Sequence, residues 1–217
     1  MMGAGIHNSA DIIGVVGATS MGKGLFIKPY LRKQPRTRGI VAWSPLEETD
    51  DYASVIGGKV VRSIAEMVKL IEKGERRIVF VPSENEKEMK GQFDRFCRAI
   101  WHLPGWCIVI EELSNVTMAS WAPPAWKKIS TAGRHKGLTV IGATQRPALV
   151  DKSFFGNCTE LRCYRVGYEE DARAMSKVMF VGYQEFLDLD QFHYIAYDKM
   201  TRKTTRGVVS VPQNAKK

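Results

Sequence analysis

Short runs of apolar, mostly β-branched residues alternate along this chain with longer stretches whose apolar positions recur at helical spacing. Residues 12–16 (Ile-Ile-Gly-Val-Val) predict a buried strand, 22–32 a helix opened by glycine, and 39–43 a second strand ending at Ser44-Pro45. Pro29 predicts a kink or an early end in that first helix, because proline lacks the amide hydrogen that a helix interior uses. Residues 59–61 read as a short strand. Ser63 reads as the N-cap of an amphipathic helix over 64–72, Gly74 as its stop, and 77–81 as the next strand. A helix over 86–101, a strand over 106–110, a helix over 124–134 and a strand over 138–143 extend the alternation. A helix after each strand carries the chain back to start the next strand in the same direction. The pattern therefore predicts an α/β fold, a mostly parallel central sheet with helices on both faces.

Beyond Pro147 the pattern loosens. A strand over 159–166, a helix over 169–178 and a short segment over 183–187 precede two strands, 192–197 and 207–211. These flank a basic turn and read as an antiparallel hairpin, with 213–217 as a frayed tail. No internal repeat interrupts this order, so residues 1–217 are expected to form a single domain.

Composition narrows the class. Of the 217 residues 44% are apolar and 25% charged, a balance that excludes disordered and collagen-like chains. The longest uncharged stretch, 113–126, is too short to span a bilayer and contains Pro123-Pro124. Asp11 interrupts the N-terminal region and no basic residue precedes its apolar run, so neither a signal peptide nor a transmembrane segment is expected. Cys97, Cys107, Cys158 and Cys163 form no CxxC pair, which argues against a zinc site.

The net charge is +9 and unevenly placed. Between Asp11 and Glu47 there is no acid, while Lys23, Lys28, Arg32, Lys33, Arg36 and Arg38 accumulate. After Asp198 come Lys199, Arg202, Lys203, Arg206, Lys216 and Lys217, again without an acid. Two separated basic segments point to a polyanionic partner; the plainer alternative is a solvated surface that only aids solubility.

The chemistry lies in Gly17-Ala18-Thr19-Ser20-Met21-Gly22-Lys23, a G-x-x-x-x-G-K string between a predicted strand and a predicted helix. Such a loop curls so that its amides face phosphate oxygens, the helix N-terminus adds its dipole, and Lys23 reaches the β- and γ-phosphates. Where the motif usually has Ser or Thr to ligate Mg²⁺, this chain has Gly24, followed by Leu25. Water, Thr19 or Ser20 could fill that coordination position, or metal binding could be weak; all three readings stay open. Cys107-Ile108-Val109-Ile110-Glu111-Glu112 is an apolar strand ending in two acids. Glu111 stands where a carboxylate holds Mg²⁺ and Glu112 where a base orients water. A third strand ends in Thr144-Gln145-Arg146-Pro147 and would place the Gln145 amide near the γ-phosphate or its water; the basic turn Gly133-Arg134-His135-Lys136-Gly137 precedes it.

The order GATSMGKG, CIVIEEL, GRHKGLTVIGATQRP resembles the FtsK–HerA group of additional-strand P-loop ATPases. That group includes DNA-translocating motors, genome-packaging ATPases of membrane-containing icosahedral viruses and assembly ATPases of filamentous phages. The resemblance spans residues 10–165, leaving about 166–212 as an extension with the basic hairpin. It implies an ATP- and Mg²⁺-dependent ATPase, with Lys23, Glu111, Glu112 and Gln145 in the hydrolytic site. An arginine from a neighbouring subunit would complete it: Arg134, with Arg146 and Arg162 as competitors. It further implies a homo-oligomeric ring, hexamer or pentamer, acting on double-stranded DNA, with viral portal or membrane-vertex proteins as partners, in the host cytoplasm or the virion. A filamentous-phage assembly ATPase, a nucleotide or small-molecule kinase, and a nucleotide-gated binding module are the alternatives. Glu111, where the group has aspartate, and Gly24 depart from its pattern. Trp101, Trp106, Trp121 and Trp126 are expected mainly in packing, with Trp121 or Trp126 as candidates to stack on nucleic acid.

Overall fold

The computed structural model of the chain describes residues 10–210. Seven parallel strands form the body of one sheet: β1 (Ile12–Val16), β2 (Ile40–Trp43), β3 (Lys59–Val61), β4 (Arg77–Phe80), β5 (Cys107–Ile110), β6 (Thr139–Thr144) and β7 (Glu160–Tyr164). Two antiparallel strands, β8 (His193–Asp198) and β9 (Lys203–Val208), extend it in the order β3-β4-β2-β5-β6-β1-β7-β8-β9. The α/β architecture expected from the alternation is the observed one.

Strand parity divides the core. Ile13, Val15, Ala42, Val109 and Ile141 face helix α1 (Lys23–Arg32) and the short α3 (Tyr52–Ile56), which follows α2 (Glu47–Asp50). Ile12, Val16, Trp43, Ile108, Ile110 and Val140 face the opposite layer. That layer holds α4 (Ile64–Glu72), α5 (Glu86–Ile100), α6 (Pro124–Ala132), α7 (Lys152–Asn157), α8 (Glu169–Met179) and α9 (Tyr183–Leu187). Its centre is aromatic: Trp43 stacks on Phe80 and meets Phe93 and Phe96 edge-on, with ring centroids 5.1–5.3 Å apart. Ser63 caps α4 by accepting from the Glu66 amide, and Asn85 caps α5 by accepting from the Glu88 amide.

Several expectations need correction. Helix α1 continues three residues past Pro29, which lies on its exposed side. Helices α2, α3 and α7 carry too few turns to show a period, and the segment 183–187 is a helix. The hairpin's second strand starts at Lys203 rather than Gly207, so Lys203 and Arg206 belong to the ladder and only 199–202 form the turn. Trp126 is fully buried and cannot stack on nucleic acid; Trp121 is 46% exposed. All four cysteines are buried and unpaired. Among the described residues, no helix is long and apolar enough to cross a membrane. The expected tail at 213–217 lies outside the described residues.

Candidate active site

In a parallel sheet, the loops that leave the strands' carboxyl ends converge on one edge. Strands β1, β5 and β6 end side by side there. The loop at residues 17–22 bends from β1 into α1. Gly17 and Gly22 press against one side chain: a Cβ on Gly22 (φ 125°) would lie 2.8 Å from Tyr164 Cε1, and one on Gly17 2.7 Å from Tyr164 Cβ. Only glycine accepts both the backbone angle and the proximity at Gly22. The loop's Ala18 amide donates to the Arg165 carbonyl (2.8 Å). Gln191 Nε2 and the Phe192 amide donate to the Ser20 and Met21 carbonyls (both 3.2 Å). The segments that leave β7 and enter β8 thus support the loop directly.

Lys23 Nζ folds over the loop and donates to the Gly17 carbonyl at 2.7 Å and the Ala18 carbonyl at 3.4 Å. Burial pulls its pKa below the usual lysine value, while Glu112, Glu111 and Asp50 oppose that shift. Glu112 adopts a left-handed conformation (φ 48°) at the end of β5. Its Oε1 accepts from Gln145 Nε2 at 2.7 Å, and Gln145 Oε1 accepts from the Thr19 hydroxyl at 2.7 Å. Thr19, Gln145 and Glu112 therefore form a hydrogen-bonded chain joining the phosphate loop to two neighbouring strand ends. The Thr19 hydroxyl gives its hydrogen to Gln145 and keeps its oxygen lone pairs.

Glu111 shares the parity of Val109 and points to the α1–α3 side, where it is 6% exposed and accepts from the Tyr52 hydroxyl. Burial raises its pKa to about 7; the Tyr52 hydrogen bond and Lys23 act against the rise, Asp50 and Glu112 with it. Asp50 accepts a long hydrogen bond from Ser44 (3.4 Å), and burial raises its pKa. A cavity of about 440 Å³ runs over these groups, bounded by Lys23, Gly24, Leu25, Glu111, Glu112 and Gln145, with Asp50 and Tyr52 at one side and Gln191 and Phe192 at the other.

The structure thus brings Lys23, Glu111, Glu112 and Gln145 together, along with the whole loop. Arg134 lies elsewhere. It sits in the turn before β6, whose six residues put it roughly 20 Å from Gln145 at the opposite edge of the sheet. Of its competitors, Arg146 lies beside Gln145 but is tied to buried Asp171 at 2.8 Å and stacked on Tyr168. Arg162 is held between the rings of Phe26 and Tyr194 and paired with Glu160. Sequence reasoning missed Tyr52, Asp50, Tyr164, Gln191 and Phe192. None stands in a motif, and each reaches the site only through the packing of an element distant in the chain.

A phosphate-type loop between strand and helix, an adjacent strand ending in acids and a strand-end glutamine, on a mainly parallel sheet, are the parts of a P-loop ATPase. The chain is 29% identical over 185 residues to Protein P9 of Pseudoalteromonas phage PM2, an alignment covering 81% of this chain and 78% of P9. Among solved structures, the genome packaging NTPase B204 of Sulfolobus turreted icosahedral virus 2, in complex with AMPPCP, shares its fold. The TM-score is 0.72 at 17% identity, over 93% of this chain and 98% of that one. VirB4 of Thermoanaerobacter pseudethanolicus superimposes with a TM-score of 0.67 at 9% identity, covering 98% and 92%. No protein-family model matches the chain. These matches bear out, at the level of fold, the resemblance carried by the three motifs.

Proposed function

We propose that the chain is an ATP-hydrolysing motor that moves double-stranded DNA in viral genome packaging. The observation that carries the reading is the hydrogen-bonded chain from Thr19 through Gln145 to Glu112. It joins a loop built for phosphates to a carboxylate suited to orienting water, so occupancy of the loop and placement of the water become one event. The fold shared with a viral packaging NTPase solved with AMPPCP, an ATP analogue, supports ATP as the nucleotide.

In this reading residues 17–25 cradle the triphosphate, Lys23 leaves its loop carbonyls for the β- and γ-oxygens, and Glu112 positions the attacking water. Glu111 and Glu112 offer hard carboxylate oxygens to the cavity, a donor set that fits Mg²⁺, with Glu111 as the holding residue. The ion's contribution is to neutralise charge on the phosphates. Tyr52 keeps the Glu111 carboxylate oriented toward the cavity. The cation that stabilises charge developing on the γ-phosphate comes from a neighbouring copy in a ring. Arg134 is our choice for it, being too far from its own loop to serve there, and residues 1–217 act as one ATPase domain with its nucleotide-binding core over about 10–165.

ATP hydrolysis measured with and without duplex DNA tests the reading, with duplex-stimulated turnover the expected result. Phosphoryl transfer to an added acceptor without DNA stimulation would make the chain a kinase. Binding without turnover under any condition would make it a nucleotide-gated module.

A further inference from the structure

We infer that duplex DNA is contacted by the edge of the sheet opposite the nucleotide, where the strands begin. The inference rests on the DNA-motor reading above and assigns its binding surface. The two basic segments of the sequence are far apart in the chain, but the topology brings the end of the first and the hairpin turn of the second to one edge. In the parallel strands, each return from a helix ends at the amino edge, so Arg36, after α1, and Arg76, after α4, lie there. Strand β8 runs antiparallel to β7, pairing Asp198 with Glu160 at the start of β7. The hairpin turn, with Arg202 and Lys203, is therefore delivered to the same edge.

Charge at this edge has a plain source in helix ends, whose dipoles favour cations in the last turn. That accounts for Arg32 and Arg98. It does not account for Arg36, Arg76, Arg202 or Lys203, which belong to no helix, are all exposed and have no carboxylate partner among the described residues. Of the nearby acids, Glu75 pairs with Lys59 at 3.1 Å, and Asp198 accepts from the Thr201 amide at 2.9 Å and faces Lys203 across the ladder without a salt bridge to it. Lys199 and Arg206, also in the basic C-terminal segment, are committed to the Phe155 carbonyl and to Glu185.

The spacing fits a duplex. Between β4 and β8 the order β4-β2-β5-β6-β1-β7-β8 sets the unpaired cations roughly 30 Å apart at ~4.8 Å per strand, close to the ~34 Å of one DNA turn. Exposed arginine and lysine along that length suit a phosphate backbone and carry no base-reading geometry, as a motor moving along any sequence requires.

The experiment measures binding of the full chain to a labelled 30-base-pair duplex across a salt series. It compares wild type, the variants R36A/R76A and R202A/K203A, their combination, and the control K87A/K152A on the carboxyl edge. Binding of a fluorescent ATP analogue by each variant checks that it is folded. The expected result is that the combined variant binds duplex at least roughly tenfold more weakly at 0.1 M salt, with the slope of log K against log salt reduced by about 0.9 for each phosphate no longer neutralised, while nucleotide binding and the control are unchanged. Should the combination prove unfolded, each pair alone is expected to lower the slope. Wild-type binding with an unaltered slope in the folded variants would overturn this surface and leave the DNA reading intact. Absence of duplex binding by the wild type at low salt would overturn the DNA reading itself.

Discussion

Each principal residue of the site has a distinguishable consequence when changed. Lys23→Ala should abolish tight nucleotide binding, measured by equilibrium titration, because its ammonium is the cation within the loop's curl. Glu112→Gln should keep binding and cut turnover by about a hundredfold or more, since an amide cannot take a proton from water. Gly24→Ser is sterically allowed: a Cβ there meets only Lys28 Cε, at 3.7 Å. It should lower the Mg²⁺ concentration for half-maximal activity, and an unchanged titration would show the coordination position already filled. The Glu111 carboxyl, at about 7, lies above its ordinary 4.5, so between those values the folded chain keeps a proton that the unfolded chain has lost. Its contribution to stability is complete below about pH 4.5 and is lost as pH rises through 7. Relative to wild type, Glu111→Gln should therefore gain melting temperature from pH 5 to pH 8 in the nucleotide-free protein. Glu111, Glu112 and Gln145 were legible in the sequence because each closes a local pattern of strand followed by polar end, and Lys23 because it closes the G-x-x-x-x-G-K string. Tyr52, 59 residues from Glu111, belongs to a five-residue helix with no period to betray it.

At the scale of elements, the central strands of the sheet were legible, because runs buried on both faces leave continuous β-branched stretches such as Ile12–Val16 and Cys107–Ile110. What was not legible is how strands support one another. The phosphate loop packs on Tyr164 of β7, whose side chain occupies the space that a Cβ at residue 17 or 22 would need. Gly22→Ala should accordingly cost about 1–3 kcal/mol in urea unfolding and weaken nucleotide binding, through the clash and the φ of 125° together. The hairpin, read from sequence as an appendage, is continuous with the sheet, and the turn leading into β8 holds two loop carbonyls. The register shift from Gly207 to Lys203 arose because Lys203-Thr204-Thr205-Arg206 is polar on both sides, as an exposed edge strand can be.

For the whole molecule, the separation of Arg134 from its own loop bears on assembly. If neighbouring copies share sites, mixing Arg134→Ala with Lys23→Ala subunits should restore part of the ATPase that each lacks alone, because some interfaces pair an intact loop with an intact arginine. No recovery at any ratio, with mixed assembly verified, would remove Arg134 from the role. The placement of the cysteines has a different use. Cys97 on α5, Cys107 on β5, Cys158 before β7 and Cys163 on β7 are all sealed in the core, with burial pushing their thiols up, that of Cys107 to about 12. Thiolate is the reactive form, so the native protein should be silent to thiol reagents, and its labelling rate should serve as a clock for opening. Two of the clocks sit in the half of the sheet with the acidic strand and two in the half that braces the phosphate loop. Peptide mapping of the label, with and without ATP, would thus time the two halves separately in one unmodified chain.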